Sequence, residues 1–240
     1  MADTNRPTDR LATAADPADA WRGRRRRRDH GSKRDAVIRT AARAFDERGY
    51  HNTSLDDIAA ALGVTKPTVY YYVANKEQLL FECFRAGLEP IRAALRRAEA
   101  TPGTGRDRLR EVIRDYAVAI ASEYGWCMVR AEHQDLDTEL SGQVKALKSE
   151  IDRGIRRLLQ AGIADGSIAV RDPKLAAFAI AGALNWIAHW YRAGRSLSAE
   201  QVADAFVEFL EHGLAPRTEA VATAPRAAQP RVRRKTKAPD

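Results

Sequence analysis

Apolar residues recur along the chain at the three- and four-residue spacing of an α-helix, and no stretch alternates apolar and polar positions long enough for a β-strand. Helix starts are marked by a short polar residue with an acid or amide three positions later, as at Ser32, Ser54, Asn75 and Ser198. These signals predict an all-α fold of about nine helices. The helices are expected to begin near residues 32, 54, 65, 75, 106, 125, 137, 172 and 198, and the longer ones to end near 48, 63, 100, 123, 164 and 213.

The first three predicted helices are short and closely spaced. Their apolar residues fall on one face of each helix: Val37, Ile38, Ala41, Ala42 and Phe45 in the first, and Leu55, Ile58, Ala59 and Leu62 in the second. Gly63 and Val64 leave room only for a tight turn before a third helix, which Thr65 can cap and which tolerates Pro67 in its first turn. Because two short helices joined by a glycine-containing turn are typical of a helix-turn-helix, we expect residues 32–80 to bind DNA.

The third helix has an unusual outward face. A helical wheel drawn with Val69 inward and a step of about 100° per residue sorts the other residues into two sets. Near the inward side lie Thr65, Tyr72 and Val73, and outward lie Pro67, Thr68, Tyr70 and Tyr71. Exposed tyrosines beside a threonine make sense against DNA, since tyrosine hydroxyls can donate to phosphates and threonine can touch a base edge.

Three further residues flank this face. Lys66 could reach a guanine or a phosphate. Lys76 lies in the first turn of the fourth helix, where a phosphate would meet both the lysine and exposed backbone N–H groups, and Thr53 precedes the second helix in the same way. The predicted DNA-binding residues are therefore Thr53, Lys66, Pro67, Thr68, Tyr70, Tyr71 and Lys76.

Two segments carry a family resemblance. Thr53-Ser-Leu-Asp-Asp-Ile-Ala59 and Gly63-Val-Thr-Lys-Pro-Thr-Val-Tyr-Tyr-Tyr-Val-Ala-Asn-Lys-Glu-Gln-Leu-Leu80 resemble the TetR family signature, which covers about residues 33–80 here. The resemblance implies a homodimeric repressor of about nine helices that binds double-stranded operator DNA. It also implies that the seven residues named above face DNA. Val73 is one departure, because many members have phenylalanine there.

The C-terminal half, residues 81–216, is expected to bind a ligand and to dimerise. The eighth helix is apolar around most of its circumference, with Leu175, Phe178, Ile180, Leu184 and Ile187, and the ninth carries an apolar stripe of Val202, Phe206, Phe209 and Leu210. In the family the last two helices pair with their symmetry mates. An ordinary monomer core is the alternative, but paired DNA half-sites favour a dimer.

Polar and aromatic residues within apolar segments are candidates for a ligand pocket among helices four to eight. The predicted ligand-binding residues are Tyr116, Tyr124, Trp126, Arg130, His133, Asn185, Trp186 and His189. Glu132, His133, Asp135 and Asp137 could suggest a metal site, but their spacing fits no common ligand pattern, so we expect a solvated acidic loop and no metal or cofactor.

A second resemblance concerns the effector. Asn185-Trp-Ile-Ala-His-Trp-Tyr-Arg192, with Gly194 and Leu197-Ser-Ala-Glu-Gln201, is similar to the C-terminal segment of TetR members that control fatty-acid, aromatic-acid or steroid degradation, several of which respond to acyl-CoA thioesters. On that basis Trp186 and Trp190 would flank the acyl group and Arg130 or Arg192 would meet the CoA phosphates. The alternative is a repressor of an efflux pump that responds to a neutral, drug-like hydrophobic compound.

The charge of the chain is concentrated at its ends. The net charge of +8 divides into +3 for residues 1–31, +5 for residues 217–240 and none for residues 32–216, which hold 25 basic and 25 acidic residues. Both ends are predicted to be disordered basic tails. Their arginine-rich runs, 24–28 and 231–235, could attract DNA nonspecifically or merely improve solubility.

The remaining features restrict location and class. The two cysteines form no CxxC pair, the N-terminus has no apolar signal core, and residues 175–191 fall short of the roughly 20 apolar residues of a membrane span, so we expect a cytoplasmic protein. No glycine-rich phosphate loop or nucleophile elbow is present, so we expect no enzyme. A ligand-independent DNA binder that relies on its tails is a third possibility, which the neutral body and the apolar C-terminal half disfavour.

Overall fold

The structure, a computed structural model, describes residues 29–131 and 135–214. Within these ranges it contains nine α-helices and no β-strand, which confirms the all-α prediction. The helices are α1 (Asp29–Arg48), α2 (Leu55–Leu62), α3 (Lys66–Tyr70), α4 (Lys76–Ala100), α5 (Gly105–Ile120), α6 (Gly125–Val129), α7 (Thr138–Ala164), α8 (Pro173–Trp190) and α9 (Ala199–Leu214). The predicted tails lie outside the described residues, except that positions 29–31 already belong to α1, so Ser32 lies inside that helix instead of capping it.

Local hydrogen bonds explain why most helix ends fall where the sequence predicts. The Ser54 hydroxyl accepts from the Asp57 N–H at 3.1 Å, and the Asp57 carboxylate accepts from the Ser54 N–H at 2.7 Å. The Ser54 hydroxyl also donates to Asp57 Oδ2 at 2.6 Å, and this bond together with the one from the Ser54 N–H holds the pKa of Asp57 below its usual value. Gly63 ends α2 in the left-handed conformation, with φ of 66°, which glycine adopts without steric cost. The chain can therefore enter α3 after a very short turn.

Two hydrophobic cores share α4. The N-terminal core is formed by α1, α2, α3 and the start of α4, and it also contains Cys127 of α6. The C-terminal core is formed by α5, α7, α8, α9 and the rest of α4, and it contains Met128 of α6. Because α4 runs unbroken from Lys76 to Ala100, the boundary between the two halves falls inside a helix and not in a flexible linker.

Helix α5 lies at the centre of the C-terminal half. Helices α8 and α9 both pack on it, and α4 and α7 contact it as well. At its first residue, Gly105, α5 meets the backbone of α7 at Gly162. The Gly105 N–H also donates to Asp165 Oδ2 at 2.6 Å. This crossing fixes the separation of α5 and α7, which enclose a cavity farther along both helices.

Candidate DNA-binding surface and ligand cavity

Helix α3 is anchored from beneath and presents tyrosines outward. Val69 is fully buried and Val73 nearly so, which locks a five-residue helix that could not persist alone. Tyr70 and Tyr71 are 47% and 71% exposed. The helical-wheel orientation of the outward face is therefore confirmed, whereas the inward placement of Thr65 is wrong. Thr65 is the exposed N-cap, and its side chain bonds the Thr68 hydroxyl at 2.9 Å.

The chain brings residues from three helix starts to one concave surface beside α3. This surface encloses about 390 Å³ and is lined by the turn before α2, by Lys66 and Tyr70 of α3, and by Asn75 and Lys76 at the start of α4. Lys66 reaches across it to Asp56, with Nζ–Oδ2 of 2.7 Å, and this ion pair raises the lysine pKa. Both groups are exposed, so the pair contributes little stability and can be exchanged for a phosphate.

Thr53 has an internal role instead of the predicted contact. Its side chain is 1% exposed, and its hydroxyl donates to Gly49 O at 2.9 Å or to Ala44 O at 3.2 Å. Its backbone N–H donates to Tyr50 O. With these donors engaged, the placement argues against Thr53 as a phosphate ligand and assigns it to holding the turn between α1 and α2.

Lys76 supports the same turn from the other side. Its ammonium donates to Tyr50 O at 3.0 Å and Thr53 O at 3.1 Å, and it lies 4.3 Å from the centre of the Tyr50 ring. An ammonium has three donors, so one stays available toward the concave surface. The first-turn position of Lys76, which is unfavourable for a cation, is thus offset by two carbonyl oxygens and an aromatic ring.

The C-terminal core encloses a cavity of about 210 Å³ between α4, α5, α6, α7 and α8. Most of its lining is apolar: Leu88, Ile120, Met128, Ile151, Ile155, Ala177, Phe178 and Ala181. Its polar lining residues are Tyr116, Lys148, Asp152 and Asn185. Tyr116 donates to Asn185 Oδ1 at 3.1 Å, and burial raises the pKa of Tyr116 to about 12. A mostly apolar cavity with a few converging polar groups is typical of a small-molecule site.

The structure places only two of the eight predicted ligand residues, Tyr116 and Asn185, in this lining. Trp186 and His189 stack on each other at 4.6 Å on the exposed face of α8, because they point away from α5. The structure therefore does not bring these two residues to the cavity of the single chain, and their contact with a ligand stays a prediction. His133 lies outside the described residues.

The other three predicted ligand residues surround the cavity without lining it. Trp126 packs against the N-terminal core, and Tyr124 packs between both cores. Arg130 is exposed just after α6. All three residues lie in or beside α6. Because α6 has only about one and a half turns, it directs Met128 alone into the cavity.

Sequence reasoning missed Lys148 and Asp152. Lys148 belongs to the stripe of α7 that carries Val144, Ile151 and Ile155, and a lysine within an apolar stripe is the signal that could have found it. Burial lowers the pKa of Lys148 to about 8. Asp152 is held by Arg156, with Nε–Oδ1 of 3.2 Å and Nη2–Oδ2 of 2.6 Å.

Basic side chains rim the cavity where Phe178 reaches the surface. The Phe178 ring lines the cavity yet is half exposed. Arg156 lies 5.3 Å from its centre and Lys174 lies 5.9 Å from it. By contrast, the guanidinium of Arg192 is exposed and donates to Tyr191 O at 2.7 Å. Arg156 and Lys174 therefore lie at this rim, whereas the predicted Arg130 and Arg192 are exposed and do not line the cavity.

The large exposed apolar side chains of the described ranges cluster on two surfaces, with Ile163 apart. One is the tyrosine face of α3. The other is formed by α8, the following turn and α9, and comprises Leu175, Trp186, Trp190, Leu197 and Phe209; Phe178, which lines the cavity mouth, is not counted in it. We call this set the α8–α9 face. Large apolar side chains exposed in such number usually mark an interface.

Helix α6 and its flanking turns connect the two cores. Cys127 is buried among residues of the N-terminal core, and the next residue, Met128, lines the cavity. Arg39 of α1 lies 3.0 Å from Glu123, before α6. His51, after α1, lies 3.0 Å from Asp135, which follows α6. A displacement of α6 would therefore reach both the cavity and the helices that hold α3.

The described residues contain neither a candidate metal centre nor a candidate membrane span. No group of three or more histidine, cysteine, aspartate or glutamate side chains there is arranged to hold a metal ion. Cys83 and Cys127 are free and buried, and the Cys83 thiol donates to Ile38 O at 3.4 Å. No helix in the same ranges combines the length and the apolar character needed to cross a membrane.

Comparison with known proteins identifies both halves. Residues 37–83 match the family model described as bacterial regulatory proteins, tetR family, and residues 102–214 match the tetracyclin repressor-like C-terminal domain. The chain is 27% identical to the transcriptional repressor KstR2 of Rhodococcus jostii (strain RHA1) over 83% of this chain and 96% of that protein. It is 31% identical to the transcriptional regulator RutR of Escherichia coli (strain K12), over 65% of this chain and 74% of that protein. Its fold resembles that of AibR bound to isovaleryl coenzyme A and operator DNA, with a TM-score of 0.64, 30% identity, and coverage of 74% of this chain and 97% of AibR.

Proposed function

The chain belongs to the TetR family of bacterial transcriptional regulators, and we propose that it is a repressor that binds a palindromic operator as a homodimer and leaves it when an acyl-CoA binds. Its relatives are transcriptional regulators and not enzymes. The observation that carries the DNA-binding part is the exposed face of α3, with Tyr70 and Tyr71 held outward by the buried Val69. We place its action in the cytoplasm, where a bacterial operator lies.

The proposed DNA contacts divide by chemistry. Thr68 and Pro67 on α3 would enter the major groove and touch base edges, which is where sequence is read. Tyr70, Tyr71, Lys66 and Lys76 would contact phosphates, which fix the register of the helix without reading sequence. Lys66 would exchange Asp56 for a phosphate, and Lys76 would use the donor that its two carbonyl partners leave available.

We expect Thr68→Ala to weaken operator binding by about tenfold and to reduce the preference for operator over scrambled DNA, because it removes a base contact. Tyr70→Phe should weaken binding to both DNAs alike, because it removes a phosphate contact. Fluorescence anisotropy at two salt concentrations measures both effects. Ser149→Ala, an exposed serine of α7, is the control. Normal operator binding by both α3 variants, with unchanged circular dichroism, would contradict the assignment.

The effector proposal is supported by the cavity and its rim. The apolar lining suits an acyl chain, and the enclosed 210 Å³ is too small for a whole CoA, so the nucleotide part must stay outside. Arg156 and Lys174 beside Phe178 could then bind its phosphates. AibR, which shares this fold, binds isovaleryl coenzyme A.

Helix α6 could transmit effector binding to the DNA-binding half and so release the operator. An acyl group in the cavity would press on Met128, and Met128 is packed so tightly that a Cβ at Gly87 of α4 would come within 2.8 Å of it. Helix α6 would then shift against the N-terminal core through Cys127. Release requires that the effector prefers the arrangement in which the paired α3 helices no longer match half-sites about 34–36 Å apart.

We expect short-chain acyl-CoAs to bind one per subunit and to lower operator affinity, and the corresponding free acids to bind more weakly, because they lack phosphates for Arg156 and Lys174. Calorimetry measures binding and operator anisotropy measures release. A thioester that binds no more tightly than its free acid would overturn the CoA part of the proposal. Release by neutral hydrophobic compounds instead would favour an efflux-pump regulator.

A further inference from the structure

Among the described residues, one cationic side chain of the cavity lining has no ion-pair partner. Lys148 lines the cavity, and within the described part of the chain its ammonium makes no ion pair or hydrogen bond. Its ammonium lies 5.2 Å from the centre of the Phe84 ring. A partly buried ammonium that has lost water without gaining an acceptor is unfavourable, so its surroundings favour an anion that arrives from outside the chain.

Asp152 is the one carboxylate among the described residues that line the cavity, and it is already paired, as are two carboxylates of α4. Asp152, one turn along α7, is held by both Nε and Nη2 of Arg156. On the α4 side, Glu82 is bound by Arg34 and Arg85. Glu89 is likewise bound by Arg92 and Arg96. Helix α6 contributes no charged residue.

The remaining polar lining offers donors to the same space. The Tyr116 hydroxyl donates a hydrogen bond to Asn185 Oδ1. The two N–H donors of the Asn185 amide take no part in that bond. Tyr116 does not lose its proton near neutral pH, because burial raises its pKa to about 12. Apart from Asp152, whose charge is offset by Arg156, the cavity thus combines an apolar wall with one ammonium and one amide donor, and an acceptor oxygen on the ligand would bind both.

We propose that the acyl group of the effector carries a terminal carboxylate, which enters the cavity and pairs with Lys148. The inference rests on the proposed acyl-CoA response and narrows it to CoA monothioesters of dicarboxylic acids. The apolar methylene chain would lie along Ile151, Ile155 and Ile120, while the thioester and nucleotide face the rim at Phe178. Lys148 would thereby set specificity between two acyl groups of equal length.

The test compares glutaryl-CoA with valeryl-CoA, which share a five-carbon chain and differ by the terminal carboxylate. We expect the unmodified protein to bind glutaryl-CoA at least about tenfold more tightly at pH 7, since one charge-assisted hydrogen bond is gained. Lys148→Met should abolish or reverse that preference. Lys145→Met, an exposed lysine on the same helix, should keep it.

A second measurement on the unmodified protein covers the case in which Lys148→Met does not fold. Because the free ammonium loses its proton with a pKa of about 8, the preference for glutaryl-CoA should shrink by about tenfold between pH 7 and pH 9.5, while valeryl-CoA binding stays nearly constant. Equal affinities for the two thioesters at pH 7, or a preference that survives in folded Lys148→Met, would overturn the inference and leave the repressor assignment standing.

Free valerate and methyl valerate complete the panel, because the single carboxylate of valerate can itself pair with Lys148 and the ester has none. If neither thioester binds but valerate binds more tightly than methyl valerate, the CoA proposal fails and the Lys148 site stands. If valerate and its methyl ester bind equally while the thioesters do not bind, both fail. The two proposals can therefore be told apart.

Discussion

Replacing Phe209 with glutamate is expected to leave each chain folded, to produce a monomer and to weaken operator binding by about 100-fold or more. Phe209 is 75% exposed in the single chain, so the substitution removes little internal contact. In a homodimer built on the α8–α9 face the new carboxylate would be buried against apolar residues without a partner. Operator affinity would then fall because each α3 helix binds its half-site alone.

Trp186→Glu makes the same test from α8, where Trp186 is 62% exposed and stacks on His189. Ala146→Glu adds an equal charge at an exposed position of α7 and serves as the control. Light scattering gives the mass in solution, and anisotropy gives the operator affinity of the same samples. A dimer that persists in both α8–α9 variants would place the interface elsewhere, and normal operator binding by a monomer would remove the need for a dimer.

The residues of the α8–α9 face also show what a hydrophobic pattern can predict and what it cannot. The sequence predicts that α8 is apolar nearly all round, and the structure divides it into a side buried on α5, with Ile180, Leu184 and Ile187, and an exposed side with Trp186. Periodicity cannot tell which apolar side faces the chain's own core and which faces a partner. For that reason Trp186 and His189 were predicted for the cavity, although their side chains lie on the opposite face.

The DNA-binding half could be predicted more fully because its determinants are close together in sequence. Ser54 and Asp57 cap α2, Gly63 ends it, and Val69 fixes the rotation of α3, so local rules suffice. Thr53 departs from the prediction because its hydroxyl partners depend on where α1 ends relative to the next turn.

The cavity needs contacts that are distant in sequence. Lys148 and Asn185 line one cavity only because α7 and α8 pack on each other and on α5. Residue spacing within α7 and within α8 therefore cannot predict that this lysine and this asparagine belong to the same site. The same packing places Arg156 beside Phe178 at the rim and leaves Arg192 beyond it.

The crossing of α5 and α7 supports the cavity. A substitution at this crossing is expected to have the largest effect on stability. A Cβ added at Gly105 would collide with the backbone nitrogen and Cα of Gly162, and backbone atoms cannot turn aside as a side chain would. We expect Gly105→Ala to lower the free energy of unfolding by about 3 kcal/mol or more, at the upper end of overpacking effects, because the two helices must separate. The separation would also stretch the bond from the Gly105 N–H to Asp165.

Gly142→Ala provides a matched control on α7, where an added Cβ meets no atom within 4 Å. In this exposed helical position alanine should raise the free energy of unfolding by about 0.5–1 kcal/mol, because glycine loses more backbone entropy on folding. Urea unfolding followed by circular dichroism measures both variants, and a melting temperature lowered by about 6–12 °C is expected for Gly105→Ala. Since α5 carries Tyr116 and α7 carries Lys148, a destabilised but folded Gly105→Ala protein should also bind effector more weakly. Stability equal to that of the unmodified protein would mean that the α5–α7 crossing is looser than the structure shows.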